Sequence, residues 1–254
     1  MHARNIKLTI EYDGTDFAGW QVQPDERTVQ GSLEEALADL SGDEVRVHGA
    51  GRTDAGVHAL GQVAHVLTAL ELAPERIRQA VNARLDDDVS IVAAEEVPES
   101  FHARFDATSR SYVYLMGVSE SPIWRRNRWH VRSELDIEAM RGATRALLGE
   151  KDFSSFCLTG SEPNHHKCCV TGISLDWEPG FGGMMILRIR ANRFLRGMVR
   201  SIVGTLVDVG KGRTTPGGFA DILAARDRGA AGATAPPWGL YLEDVRYGEA
   251  LRYD

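Results

Sequence analysis

The chain has 254 residues, 43% of them hydrophobic, and a formal net charge of −7. That length allows one large domain or two small ones with real hydrophobic cores. No apolar run approaches the ~18 residues of a membrane span, and no basic start precedes an apolar segment, which argues against insertion and secretion and predicts a cytoplasmic location. The three cysteines include two adjacent ones and fit reduced thiols better than disulfides.

The basic residues are unusual in kind. Only four of the 29 are lysines, and arginines cluster at Arg125, Arg126 and Arg128 between Trp124 and Trp129. Guanidinium groups bind phosphates and stack on bases, so this cluster is a candidate RNA contact despite the negative net charge. A genome that favours arginine codons would give the same composition. The positions of the arginines in the structure must therefore decide between an RNA contact and a bias of composition.

The hydrophobic pattern of the first hundred residues predicts the element order β-α-β-β-α-β. The expected elements are a strand at 6–12, a helix from Thr28 to Gly42, a short strand at 45–47, a strand that ends near Ala69, a helix opened by Pro74, and a strand at 89–97. This is the order of a ferredoxin-like unit, which packs helices on one face of an antiparallel sheet.

The second part repeats this order with longer loops. The expected elements are a strand at 108–118, a helix at 136–148 ended by Gly149, strands at 170–177 and 184–191, a long helix, a helix opened by Pro216, and a last strand through Leu240, Leu242 and Val245. The sequence therefore predicts an α+β fold of two related ferredoxin-like halves, residues 1–104 and 105–254.

The long helix contains an apolar stripe and a set of arginines. At about 100° per residue, Leu195, Met198, Val199, Ile202 and Leu206 fall in one core-facing arc. Three arginines fall close to the opposite side of this helix: Arg193, Arg196 and Arg200. This spacing predicts a row of arginines along one helix. A solvated helix face is the simpler interpretation of the same spacing.

The stretch with the strongest chemical signal is a glycine-rich loop that turns into a strand, Gly51-Arg-Thr-Asp-Ala-Gly-Val-His58. Gly51 and Gly56 give the backbone freedom for a tight turn, so Asp54 is displayed with Arg52 two residues before it. A carboxylate and a guanidinium this close can bias each other's ionisation, although a plain surface ion pair has the same sequence. The loop lacks the pattern of a phosphate-binding loop.

Several motifs in order resemble one family over nearly the whole chain. They are Tyr12-Asp-Gly-Thr with Gly19-Trp-Gln21, Thr28-Val-Gln30, the Gly51-to-Val63 loop, Phe101-His-Ala-Arg-Phe105, Ser109-Arg-Ser-Tyr-Val-Tyr114, Asp152-Phe-Ser-Ser-Phe156, Asn192-Arg-Phe-Leu-Arg196, Met198-Val-Arg200 with Ile202-Val-Gly204, and Gly239-Leu-Tyr-Leu242. Together they resemble the tRNA pseudouridine synthases that modify positions 38 to 40 of the anticodon stem-loop. The resemblance implies that the two halves share a central, mostly antiparallel sheet with helices packed on it, that a cleft lies between them, and that the protein is a homodimer.

The resemblance also implies roles for individual residues. Asp54 would be the catalytic carboxylate, acting by attack at C1′, by attack at C6 or by removal of the 2′ proton, and Arg200 would be its cation. Tyr112 would be a catalytic residue that stacks on the target base and is the candidate for transfer of the C5 proton. Leu240 would pack on the other side of that base, and Arg52 would fill the place of the flipped nucleotide. Further tRNA contacts would come from arginines at three positions: Arg104, Arg110 and Arg196.

The implied reaction is an isomerisation of uridine with no net redox change, so no cofactor is expected. One stretch departs from the family pattern, because Asn164-His-His-Lys-Cys-Cys169 replaces arginines that contact RNA in relatives. His165, His166, Cys168 and Cys169 are zinc-ligand types, but adjacent cysteines suit a tetrahedral site poorly, so no metal is expected. The alternative function is a non-catalytic RNA-binding module on two ferredoxin-like halves.

Overall fold

The strands and helices follow the predicted α+β class. A computed structural model describes residues 3–158, 165–180 and 182–248. Over these residues the element order is β1 (Arg4–Tyr12), α1 (Val29–Ser41), β2 (Val47–Gly49), β3 (His58–Thr68), α2 (Pro74–Asn82), β4 (Val89–Val97), β5 (Ala107–Gly117), β6 (Trp129–His130), α3 (Ile137–Thr144), β7 (Gly149–Asp152), β8 (Lys167–Glu178), β9 (Met184–Ala191), α4 (Met198–Gly210), α5 (Pro216–Ala225) and β10 (Leu240–Tyr247). Strand pairing is mostly antiparallel, so the fold-class prediction is confirmed.

The first compact unit comprises the described residues up to 108 together with 241–248. Its sheet has β1 in the middle, antiparallel to both β3 and β4. The other edge of β3 pairs with β2 at one end and, in parallel, with β10 at the other, where Tyr241 lies opposite His58. The predicted order β-α-β-β-α-β is confirmed here. The last strand, β10, was predicted as part of the C-terminal half, whereas residues 241–247 of this strand belong to the first unit.

Helix α1 begins and ends at the capping residues that the sequence indicates, and α2 begins at Pro74 as predicted. The Thr28 hydroxyl accepts a hydrogen bond from the Gly31 amide, and Gly42 ends α1 in the left-handed conformation with φ 77°. Leu33 and Leu37 of α1 are buried, as are Ile77 and Val81 of α2. These helices therefore cover one hydrophobic core with the apolar face of the sheet.

The second compact unit comprises the described residues between 109 and 240. Its strands follow the order β5-β9-β8-β7, all antiparallel, and the two-residue strand β6 lies parallel to the end of β5. The helices α3, α4 and α5 pack against one another, and α3 also packs on β8. The strands β6 and β7 were not predicted, because pieces of two and four residues are too short to show a hydrophobic period.

Two helix boundaries differ from the prediction. The helix expected to run to Leu148 ends at Thr144 and continues as a single 3-10 turn before Gly149, at φ 87°, opens β7. The long helix, α4, begins only at Met198, because Gly197 directly before it has a left-handed φ of 65°. Arg193 and Arg196 therefore precede the helix, and the predicted arginine row on one helix is wrong.

Candidate active site

Asp54 lies on a short, backbone-constrained turn between β2 and β3. The Ala50 amide donates to the Val63 carbonyl at 2.7 Å, and the Val57 amide donates to the Asp54 carbonyl at 3.2 Å. Gly56 adopts a φ of 75°, which completes the turn and which other residues rarely adopt. The sequence motif therefore forms a fixed turn that presents Asp54 at the start of β3.

A second segment, residues 14–20, packs directly behind this turn. The Trp20 amide donates to the Thr53 carbonyl at 3.1 Å. A side chain on Gly19 would bring its Cβ to 2.7 Å from the same carbonyl, and one on Gly14 would come to 2.1 Å from the Val57 carbonyl. Only glycine permits this close approach. Gly14 and Gly19 belong to the first two family motifs, Tyr12-Asp-Gly-Thr and Gly19-Trp-Gln21, and both motifs therefore support the Asp54 turn.

Three buried polar side chains hold the turn from inside the unit. The Tyr12 hydroxyl and Thr53 Oγ1 are 2.8 Å apart, and Gln62 Nε2 donates to the Gly51 carbonyl at 2.9 Å. Burial raises the pKa of Tyr12 to about 12, so its phenol stays neutral and serves as a hydrogen-bonding group. No role of these side chains was predicted from the sequence, although a buried glutamine on a strand signals a hydrogen-bonding role.

The other candidate residues of the first unit lie at its surface. Arg52 is exposed and Asp54 is half-buried, so the turn presents both a cation and a carboxylate. Arg104 is also exposed and lies on the segment between β4 and β5, with its Cζ atom 5.7 Å from the centre of the Phe105 ring.

In the second unit, Tyr112 lies in the middle of β5, opposite Ile189 of β9. Its ring meets the Phe194 ring edge to face, with centroids 4.9 Å apart, and it is 9% exposed. Tyr114, two residues on, is fully buried, and its hydroxyl donates to the Pro236 carbonyl at 2.8 Å. Burial raises the pKa of Tyr114 far above the usual value, so its phenol stays neutral and serves as a buried hydrogen-bond donor.

Arg200 lies in the first turn of α4 and is bound to the segment that leads to β10. Its Nε donates to the Ala235 carbonyl at 2.8 Å, and the Ala235 amide donates back to the Arg200 carbonyl at 3.0 Å. Further along this segment, Gly239 is so close to Tyr114 that an added Cβ would lie 2.7 Å from that ring. The segment ends at Leu240, which is 6% exposed. The second unit therefore brings Arg200 and Tyr114 to one segment that ends at Leu240.

The remaining arginines meet at the loop between β9 and α4. Arg110 donates from Nη1 to the Asn192 carbonyl at 3.1 Å. Arg196 is exposed, and its carbonyl accepts from the Leu158 amide at 3.0 Å. An added Cβ on Gly197 would lie 2.4 Å from the Leu158 side chain, so Leu158, whose backbone also binds the loop, excludes a side chain directly before the helix.

Comparison with known proteins identifies the family. The sequence matches the family model described as tRNA pseudouridine synthase over residues 8–106 and 143–248. Three relatives called tRNA pseudouridine synthase A come from Halalkalibacterium halodurans (45% identical, covering 93% of this chain and 90% of the relative), Caldicellulosiruptor saccharolyticus (44%, covering 96% and 100%) and Parvibaculum lavamentivorans (46%, covering 95% and 98%).

The chain belongs to the tRNA pseudouridine synthase family. The predicted enzyme class, an isomerase that modifies tRNA, is thereby confirmed, and the non-catalytic RNA-binding module is not favoured. In the described residues, no helix is long and apolar enough to cross a membrane.

The Trp-flanked arginine cluster of this family member divides into two kinds of residue. Arg125 and Arg126 are exposed, as an RNA contact requires. Arg128 is 2% exposed, and its guanidinium donates to the Gly183 carbonyl at 3.2 Å and the Ser119 carbonyl at 2.7 Å. Arg128 therefore supports the loop from inside, and the expectation that it contacts RNA is wrong.

The segment that departs from the family pattern lies partly outside the described residues, which resume at His165. There the His165 ring contacts Arg193, with Nε2 and Nη1 3.1 Å apart. Cys168 and Cys169 are buried in β8, and burial raises the pKa of Cys168 to about 11, so its thiol resists ionisation. Within the described parts of the chain, no group of three histidine, cysteine or acidic residues could hold a metal ion.

Proposed function

We propose that the protein converts uridine to pseudouridine at positions 38, 39 and 40 of the tRNA anticodon stem-loop. The reaction breaks the N1–C1′ bond, turns the base, joins C5 to C1′, releases the C5 proton to solvent and adds one proton to N1. Atoms and electrons balance without an external oxidant or reductant, so the residues of the chain can supply all the chemistry.

Asp54 is the proposed catalytic carboxylate. The observation that carries this assignment is the turn itself: a half-buried aspartate is held by backbone hydrogen bonds, by the close approach of Gly14 and Gly19, and by the Tyr12–Thr53 contact of 2.8 Å. Preorganisation of this kind is what a group needs when it must meet a sugar or base carbon with a defined geometry. A surface ion pair would need none of it.

Tyr112, Leu240 and Arg200 are the proposed partners of the reaction in the second unit. Tyr112 has an aromatic ring held edge to face against Phe194 and Leu240 has an apolar side chain, and each keeps a small exposed area, 9% and 6%, at which a base could pack. Arg200 would stabilise the ionised form of the catalytic carboxylate, a role carried over from the family resemblance. The hydrogen bond from its Nε to the Ala235 carbonyl supports this role, because it holds the guanidinium in one position.

The exposed or half-buried arginines are the proposed RNA contacts. Arg52 would occupy the space of the nucleotide that leaves its stack, because a stacked base cannot be reached at C1′. Phosphates would be bound by three further arginines: Arg104, Arg110 and Arg196. The acting form is proposed to be a homodimer in the cytoplasm, where tRNA is available.

The test is substitution of Asp54 by asparagine, a nearly isosteric change. The amide can act neither as nucleophile nor as base, so tritium release from 5-tritiated tRNA should be lost, while tRNA binding, which rests on many phosphate contacts, should persist. Stem-loops that carry a single uridine at position 38, 39 or 40 assign the sites.

Asp87→Asn is the matched control, since Asp87 is an exposed aspartate on the turn before β4. It should keep wild-type turnover. More than a small residual rate in Asp54→Asn, with the fold intact, would remove Asp54 from the reaction.

A further inference from the structure

Phe105 is an aromatic side chain held out in solvent. It is 74% exposed, whereas Phe101 in the same motif is partly covered and packs on the Tyr247 ring at 5.0 Å. Exposed single hydrophobic side chains are common on protein surfaces, so exposure alone carries no conclusion. What distinguishes Phe105 is the set of groups around it.

Two polar side chains adjoin the ring. The His102 imidazole lies against it, with centroids 4.3 Å apart and planes at 38°. The Arg104 guanidinium lies at 5.7 Å from the ring centre, near the outer limit of a cation–π contact. An aromatic ring backed by a second ring and flanked by a cation is the combination on which single-stranded nucleic acids stack.

The backbone beneath the ring is fixed by hydrogen bonds at successive residues. The His102 amide donates to Asp106 Oδ2 at 2.8 Å, and the Asp106 amide donates to the His102 carbonyl at 3.1 Å. The Arg104 amide donates to His102 Nδ1 at 3.1 Å. At Ala103 the amide donates to His65 Nδ1 and the carbonyl accepts from the Tyr247 hydroxyl at 2.7 Å. The platform is thus built in advance, which lowers the entropy cost of binding.

We propose that Phe105, backed by His102, is a stacking platform for one unpaired base of the tRNA anticodon loop, with Arg104 binding the adjoining phosphate. This inference rests on the proposed function, which makes that loop the substrate. A nucleotide suits the surface better than an apolar protein partner, because it pairs a flat face with a negative charge, and Phe105 and Arg104 present the complementary pair.

The first experiment measures the Kd for an anticodon stem-loop with variants of Phe105. Removal of one base–aromatic stack is worth about 1–3 kcal/mol, so Phe105→Ala should raise the Kd by about 5- to 150-fold. Phe105→Trp should bind like the wild type, and Phe105→Leu should resemble alanine, since leucine has the apolar area without the π face. Val92→Ala, an exposed residue of β4, is the matched control and should leave the Kd unchanged.

The second experiment identifies the stacked base with stem-loops that carry one abasic site at a time in the loop. For one position, the wild type should lose affinity while Phe105→Ala loses nothing further, because the two changes remove the same contact. Additive reductions in affinity at every loop position would overturn the proposal, as would wild-type affinity of Phe105→Ala.

Two readouts distinguish a stacking platform from a failure of the proposed function and from a subunit interface. Pseudouridine formation by the wild type tests the proposed function on its own, whatever the result for Phe105. Molar mass by light scattering tests the competing occupant, a second copy of the chain. If Phe105→Ala changes the oligomeric state, the ring belongs to a subunit interface and the platform is refuted.

Discussion

At the scale of the residue, His65 shows how a buried imidazole supports the proposed RNA-binding surface. Its Nδ1 accepts the Ala103 amide at 3.1 Å, so the neutral ring holds the segment that carries Arg104 and Phe105. Burial, together with the neighbouring His102 and His48, lowers the pKa of His65 to about 4, although a hydrogen bond to the His48 backbone and the charge of Asp106 act in the opposite direction. Protonation would replace the accepting lone pair with a donor that faces the Ala103 amide.

The sign of the pH effect on stability follows from that lowered pKa. Above about pH 6.5 the imidazole is neutral in both states, and the full stability is present. As the pH falls from about 6.5 towards 4, the unfolded chain binds the proton first, so the free energy of unfolding should decrease. Urea unfolding at steps between pH 7.5 and 4.5 measures this decrease.

His65→Asn is the informative variant, because its amide oxygen can replace Nδ1 as an acceptor and does not titrate. Its stability at pH 7.5 sets its own baseline, and its decline between pH 6.5 and 4.5 should be shallower than that of the wild type. Parallel declines in the two proteins would show that His65 does not carry this pH dependence.

At the scale of the element, the sequence predicted what local patterns determine and failed where a distant contact decides. α1 was predicted with its caps because Thr28 and Gly42 act on their own helix. The start of α4 was misplaced because it depends on the contact between Gly197 and Leu158, which are far apart in the chain. Likewise, the Asp54 turn was visible as a motif, but its support by Gly14 and Gly19 depends on a non-local approach.

Gly204 of α4 packs against the 233–235 segment, to which Arg200 is hydrogen-bonded. An alanine Cβ at this position would lie 1.7 Å from the Ala233 carbonyl oxygen, so the 233–235 segment would have to move. Overpacking of this kind costs about 1–3 kcal/mol, and about 2–4 °C of Tm accompanies each kcal/mol in a protein of this size. Gly204→Ala should therefore lower Tm by several degrees and, through the two Arg200–Ala235 hydrogen bonds, reduce kcat.

Gly142→Ala in α3 is the matched control for helix propensity. Its Cβ would make an ordinary contact of 3.7 Å with Pro216, and alanine is favoured over glycine inside a helix by about 0.5–1 kcal/mol. Calorimetry should show Tm unchanged or raised for this variant. A Gly204→Ala protein with the same Tm as Gly142→Ala would contradict the overpacking.

At the scale of the whole molecule, the question is how an acidic protein binds a polyanion. The net charge of −7 is distributed over 254 residues, whereas affinity for RNA depends on the cations that meet phosphates. Composition alone could not show whether the arginine cluster contacts RNA or reflects a genome that favours arginine codons. The structure separates Arg128, which is buried on two carbonyls, from Arg125 and Arg126, which are exposed. Nothing in the sequence distinguishes Arg128, because its partners lie at Ser119 and Gly183.

The exposed arginines, Arg125 and Arg126, should respond to substitution differently from the buried Arg128. Arg125→Gln combined with Arg126→Gln should weaken tRNA binding and make the slope of log Kd against log salt shallower by about 0.7–0.9 for each phosphate that the variant no longer neutralises. Turnover at saturating tRNA should persist, because neither residue is assigned to the chemistry. Arg76→Gln, which changes an exposed arginine of α2, is the control and should keep the wild-type slope.

Arg128→Gln should instead lower Tm, since it leaves the Gly183 and Ser119 carbonyls without their donor. If the double variant keeps the wild-type salt slope, Arg125 and Arg126 do not meet phosphates, and the positive charge that binds tRNA must come from the other exposed arginines.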